Sequence, residues 1–299
     1  MHLGLTPWDF SDPGASNLQE QAVLAERLGY ESFWLPENHF NTGAIPDPLM
    51  LLAGVAGATS RIRLGTTSYL LTLRNPLLAA EQVAVLDQLS RGRVILGVGR
   101  GYAPDMLKAF NVLPGEKREV FEATLEMMRR AWTGEPVCIE GTTGITLAPL
   151  PCQKPHPPIW VAAFGPKALA QAGRLGLPYL ASPMETLETL VRNYRSHRAA
   201  GAAHVDCVPV MRTVYVTEDA AETIAVKQRL ASLPRPRDKA PNEVDAWAIV
   251  GAADHVREQV GIYREQLGMT HLIATRLRLP GLDPDRVRRS VSKLPELLA

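Results

Sequence analysis

The stretch from Glu31 to Tyr102 decides the fold. It holds three short β-rich runs, Glu31-Ser-Phe-Trp-Leu35, Ile62-Arg-Leu-Gly-Thr66 and Arg93-Val-Ile-Leu-Gly-Val98, with helix-like segments between them. Each run is followed at once by residues able to do chemistry. Pro36-Glu-Asn-His-Phe40 follows the first, Thr66-Thr-Ser-Tyr69 the second and Gly99-Arg-Gly-Tyr102 the third. Polar groups gathered at the carboxyl ends of parallel strands are how an α/β barrel builds an active site. The stretch therefore reads as part of an enzyme.

The same alternation extends outward. Strand-like runs occupy residues 2–6, 31–35, 61–67, 93–98, 158–162, 178–181, 207–216 and 271–275. Helical patterns occupy 17–28, 77–90, 117–132, 167–175, 186–200, 219–231, 252–267 and 283–298. In the first helix Leu18, Val23, Leu24 and Leu28 fall near helical spacing, and Gly29 supplies a stop. Eight such pairs predict an α/β fold, a single (β/α)8 TIM barrel spanning residues 1–299. The rival is a doubly wound open sheet, which more often carries a glycine-rich turn after its first strand. Here that turn is Thr6-Pro-Trp-Asp-Phe10, without glycine. Two insertions interrupt the pattern. Residues 134–157, rich in Pro, Gly and Thr, read as an excursion able to form a hairpin, and residues 233–246, polar and proline-bearing, as a candidate lid.

Composition narrows the class. A chain of 299 residues with 46% hydrophobic content buries a core without disulfides or a structural metal. A net charge of +1, with scattered Lys and Arg, gives no stripe for nucleic acid and no polybasic cluster for a membrane surface. Neither a signal peptide nor a transmembrane run is present, so a cytoplasmic location is expected. Cys138, Cys152 and Cys207 are widely spaced and read as buried free thiols. His2, His156, His197, His204, His255 and His271 show no metal-ligand spacing, and no metal is expected.

Four clusters carry candidate chemistry. Glu37 and His39 at a strand end could orient a substrate or move a proton, or form a helix-cap and turn cluster. The hydroxyls of Thr66, Thr67 and Ser68 and the phenol of Tyr69 could bond a heteroaromatic ring edge, or reflect β-propensity alone. In Gly97-Val-Gly-Arg-Gly-Tyr102 the glycines allow close backbone approach, and Arg100 suits a phosphate or carboxylate; a tight strand-to-loop turn is the plainer reading. Phe164-Gly-Pro-Lys-Ala168 opens a helix whose amides, with Lys167, could hold a phosphate, or is an ordinary βα turn.

Taken in order, these residues resemble the bacterial luciferase-like family of flavin-dependent oxidoreductases. The resemblance is carried by Gly29-Tyr-Glu-Ser-Phe-Trp-Leu-Pro-Glu-Asn-His-Phe40, by Ala58-Thr-Ser-Arg-Ile-Arg-Leu-Gly-Thr66 and by the run from Pro76 to Arg93. Gly97–Tyr102, the Arg118 segment and the run from Val256 to Ile273 extend it over nearly the whole chain. It implies a (β/α)8 barrel that binds reduced FMN, or the deazaflavin F420, at the carboxyl ends of its strands. By the same resemblance Arg100 contacts the cofactor phosphate, and Gly99 takes the place of a small residue or cysteine beside the ring. Thr67–Ser68 matches a peptide that can be cis beneath the ring, and Gly165 and Lys167 match a second phosphate-binding turn. Luciferase has Glu-His-His-Phe where this chain has Glu37-Asn-His-Phe40. Asn38 can hydrogen-bond but is no base near neutral pH, which argues against light emission from a long-chain aldehyde.

The resulting expectation is a monooxygenase that uses reduced FMN and O2 to oxidise a small organic substrate, with FMN supplied by a partner flavin reductase. His39 and Asn38 are the expected catalytic residues. Thr66, Thr67, Ser68, Gly99, Arg100, Gly101, Tyr102, Phe164, Gly165 and Lys167 are expected at the cofactor, and Trp8, Glu37 and Tyr69 at the substrate. The alternatives are an F420-dependent oxidoreductase that transfers hydride without oxygen, and a non-catalytic subunit or scaffold. The resemblance further implies a homodimer or higher homo-oligomer through the helices near 77–90 and 117–132.

Overall fold

The structure is a computed structural model, and it describes all residues except 10–14, 140, 142–143, 234–242 and 278. In chain order the elements are β1 (His2–Leu5), α1 (Ala15–Arg27), β2 (Ser32–Leu35), α2 (Pro48–Ala58), β3 (Arg63–Thr66), β4 (Tyr69–Leu70), α3 (Pro76–Ser90) and β5 (Val94–Gly99). They continue with α4 (Pro104–Ala109), α5 (Lys117–Ala131), β6 (Ile159–Ala162), α6 (Pro166–Arg174), β7 (Tyr179–Leu180) and α7 (Leu187–His197). The last are β8 (Pro209–Val216), α8 (Ala220–Ala231), β9 (Ala248–Gly251), α9 (Ala253–Leu267), β10 (His271–Thr275) and α10 (Pro284–Leu298).

Two compact units interleave along the chain. The first comprises Met1–Phe10, Leu24–Phe33 and Ala163–Ala299, and the second Ser11–Val23 and Trp34–Ala162. In the first, β1 pairs with β2 on one side and β10 on the other, β10 pairs with β8, and β8 with β9. In the second, β3 and β6 both pair with β5, and β4 adds to β5 at Val98 and Gly99. All of these pairings are parallel, as expected of strands joined through helices. All eight residues of β8 and all six of β5 are buried, the signature of parallel strands covered on both faces.

Local sequence explains how the helices start and stop. Asn75 caps α3: its side chain accepts from the amides of Leu77 and Leu78, and Pro76 takes the first turn. Asp47 caps α2 in the same way through the Met50 amide. The helix α9 ends at Gly268, whose φ of 70° is a left-handed value that favours glycine.

Four elements, α2, the six-residue α4, β4 and β9, escape a reading by pattern. The helix α2 is apolar almost throughout, so it offers no contrast at helical period. The strand β9 has four residues and runs straight into α9, and β4 has only two. In the 134–157 excursion Val137 and Ile145 exchange both backbone hydrogen bonds, at 2.8 and 3.0 Å. The 233–246 insertion lies mostly outside the described residues; Val244–Ala246 forms a 3₁₀ turn. The three cysteines are free, but the expectation that they are buried is corrected. Cys138 and Cys152 lie exposed in the excursion, where short polar loops give them no core to enter.

Candidate active site

In the second unit the carboxyl ends of β2, β3 and β5 deliver the three clusters of the 31–102 stretch. The Pro36–Phe40 turn centres on Glu37, whose side chain is 0% exposed. Its Oε1 lies 2.9 Å from His39 Nε2 and accepts from Arg74 Nη1 at 2.8 Å, and its Oε2 accepts from the Leu70 amide at 2.9 Å. Three protein groups thus enclose the carboxylate that the sequence reading placed at the substrate. Arg74 also donates to the Leu70 carbonyl and lies 3.8 Å over the ring of Tyr69. Tyr69 is itself fully buried and donates to Gln82, so it too serves the frame rather than an open face. Burial pushes its phenol upward, with Arg74 opposing.

His39 keeps 9% of its side chain exposed, between Phe110, edge-on at 4.9 Å, and Phe40 at 5.7 Å. Phe40 is 72% exposed and stands at φ 63°, a left-handed value that a bulky residue rarely adopts. Asn38 is spent on its own loop: its side-chain oxygen accepts from the Ile45 amide at 3.0 Å, and its amide donates to the Ile45 carbonyl.

At β3 the Thr66 hydroxyl donates to the Gly97 carbonyl at 2.7 Å, which ties β3 to β5. The Thr67 amide donates to the Leu35 carbonyl, and the Thr67–Ser68 peptide is cis. Gly99 has no room for a side chain: a Cβ there would stand 2.1 Å from Ser68 Oγ. Gly101, at φ 68°, makes the turn out of β5. Tyr102 beyond it is 90% exposed.

Arg100 is 7% exposed and donates to the Ala162 carbonyl at 2.9 Å, with its guanidinium 4.9 Å from the Phe121 ring centre. Burial, and then the charge of Arg118, pulls it down to about 10. Lys117 is lowered by burial and by the charges of Arg100 and Arg118. Lys117 and Arg118 occupy the first turn of α5, the end of a helix that favours anions, and Glu116 and Glu119 offset them in part. Sequence reasoning singled out Arg100 but passed over Lys117, Arg118 and Arg74, because nothing in their local spacing marks them.

The remaining candidates belong to the first unit. Gly165, at φ 87°, turns the chain into α6, with Pro166 in its first turn. Phe164 is 57% exposed, and Lys167 is exposed. Trp8 follows β1 and lines a small cavity with Thr6, Tyr30, Val214 and Thr275. Among the described residues there is no cluster of three or more metal-ligating side chains, and no helix is long and apolar enough to cross a membrane.

Residues 4–271 match the family model described as luciferase-like monooxygenase. The uncharacterized protein y4vJ of Sinorhizobium fredii is 33% identical over 221 residues, which is 69% of this chain and 62% of that protein. The chain thus spans less than two thirds of that relative's length. An F420-dependent glucose-6-phosphate dehydrogenase of Nocardia farcinica is 29% identical over 91% of this chain and 90% of its own. Among solved structures, the monooxygenase RslO1 of Streptomyces bottropensis aligns with a TM-score of 0.84 at 27% identity, over 100% of this chain and 98% of that one. The fold class is that expected from the sequence, a TIM-barrel-like luciferase fold.

Proposed function

Because the chain belongs to the luciferase-like monooxygenase family, we propose that it is an FMN-dependent monooxygenase acting on a small organic substrate. The observation that carries this reading is the cationic group of Arg100, Lys117 and Arg118, whose charges press on one another where β5 ends. An anion binds favourably beside such a group, and the phosphate of a flavin supplies one. The donor set therefore fits a phosphorylated cofactor. Bound there, reduced flavin would supply the electrons with which O2 is activated.

The protein's own residues have narrower tasks. Arg100 would bind the phosphate, with Lys117 and Arg118 raising the local potential. Gly99 and Ser68, packed against each other, would form a floor for the ring. His39 would hold or move a proton at the substrate, and Phe40 and Phe110 beside it would exclude water. Within the first unit, Gly165 and Lys167 would form a phosphate-binding turn of their own. A flavin reductase is the partner this chemistry calls for. A homodimer through α3 is supported by Leu78, Val85 and Leu89, which are exposed at helical spacing on that helix.

The identity shared with an F420-dependent dehydrogenase over most of the chain favours a second reading, hydride transfer with F420. Titration of the protein with FMN and F420 side by side, followed by fluorescence, tests both. FMN binding that weakens with salt is expected. A clear preference for F420 would replace the first reading with the second, and no affinity for either would end both.

A further inference from the structure

We infer that Glu37, braced by Arg74, holds His39 in the tautomer protonated at Nε2 and leaves Nδ1 as the ring nitrogen that takes or gives a proton. The inference rests on the reading of His39 as the proton-handling group of the site.

The donor and acceptor inventory carries the argument. Arg74 Nη1 and the Leu70 amide can only donate, and they donate to different oxygens of Glu37, at 2.8 and 2.9 Å. Both oxygens are thus acceptors, and the third contact, 2.9 Å to His39 Nε2, takes its proton from the imidazole. Among the described residues His39 Nδ1 makes no hydrogen bond. A carboxylate that accepts from one ring nitrogen fixes the role of the other.

Each member of the arrangement is itself held. Arg74 is fixed by the Leu70 carbonyl and by the face of Tyr69, and Tyr69 by Gln82. Phe110, edge-on at 4.9 Å, limits rotation of the imidazole. Glu37 and Arg74 are positioning residues: the enclosed carboxylate has no accessible surface to offer a substrate.

Nitrogen-15 spectra of the full chain labelled at histidine, recorded without cofactor, test this. His39→Gln identifies the His39 signals. In the wild type, Nε2 is expected at the position of a protonated ring nitrogen and Nδ1 at that of a bare one. In Glu37→Gln the side-chain amide can donate to the ring, and the two signatures are expected to exchange. A wild-type His39 protonated at Nδ1 would overturn the inference, and so would a folded Glu37→Gln protein with unchanged signals. The wild-type spectrum decides even where the variant does not fold. No flavin is needed, so loss of the flavin reading in the titration above is a separate result.

Discussion

Replacing Arg100 by methionine separates what this guanidinium costs from what it does. A guanidinium lowered to about 10 carries its charge at a cost of about 3 kcal/mol relative to water. Methionine removes that cost and keeps the hydrocarbon packing. It also loses the hydrogen bond to the Ala162 carbonyl and the contact with Phe121, together worth about 2–3 kcal/mol. The terms oppose one another, so Arg100→Met should unfold within about 2 kcal/mol of wild type by the same balance.

Flavin affinity should behave differently. A charge-assisted hydrogen bond to phosphate is worth about 1.5–3 kcal/mol, or about 10- to 150-fold in Kd. The salt dependence of FMN binding should also weaken, because one cation of three has gone. FMN titrations at two salt concentrations, with urea unfolding alongside, measure both quantities. An affinity loss below about threefold, in a protein of unchanged stability, would refute the phosphate role, since it falls short of even the weakest charged hydrogen bond.

Other perturbations read the frame. In Gly65→Ala the new Cβ would stand 2.1–2.5 Å from three atoms of the buried Trp34 indole, which stacks on Trp160, so urea unfolding should show a loss of about 3 kcal/mol. Gly57→Ala, which meets open space on α2, should gain about 0.5–1 kcal/mol in the same assay. Asn75→Ala removes the cap of α3 and should cost about 1 kcal/mol of unfolding free energy. Burial lowers His197 in the folded protein, so the unfolded chain takes up its proton first as pH falls. Its contribution is complete above about pH 6.5 and is lost below that, and His197→Gln should flatten the acid side of the stability profile.

How much was legible depended on whether the information was local. Strand ends, the glycine stop after α1 and the caps of α3 lie within a few residues of one another, so the 31–102 stretch could be read as strand–turn–helix units. The partners of Glu37 could not: Leu70 and Arg74 lie 33 and 37 residues away, and only pairing of strands brings them to the turn. The same holds for the three hydroxyls after β3. They read alike in sequence, but Thr66 is tied to Gly97 and Ser68 packs against Gly99. Asn38 stood out as a departure from luciferase, and its hydrogen bonds to Ile45 supply a reason that no spacing could.

The two arginines that bracket β5 show the same point in energetic form, and they lead to opposite outcomes. Arg93 precedes the strand at its amino end. Its guanidinium donates to the carbonyls of Ser90, Ile62, Ala56 and Thr59 and to the Thr59 hydroxyl, at 2.7–3.1 Å. Those bonds tie the end of α2 and the start of β3 to β5. Arg100, at the carboxyl end, has its charge disfavoured instead by burial and then by the neighbouring Arg118. In barrels of this class the amino face of the sheet serves stability and the carboxyl face serves chemistry. Arg93→Ala strands several buried acceptors and should cost about 3 kcal/mol or more in urea unfolding, while the fraction that remains folded binds FMN within about threefold of wild type, a difference of less than about 0.7 kcal/mol. Arg100→Met should do the reverse. If Arg93→Ala weakened FMN binding as much as Arg100→Met while leaving stability intact, the assignment of the two ends of β5 would be wrong.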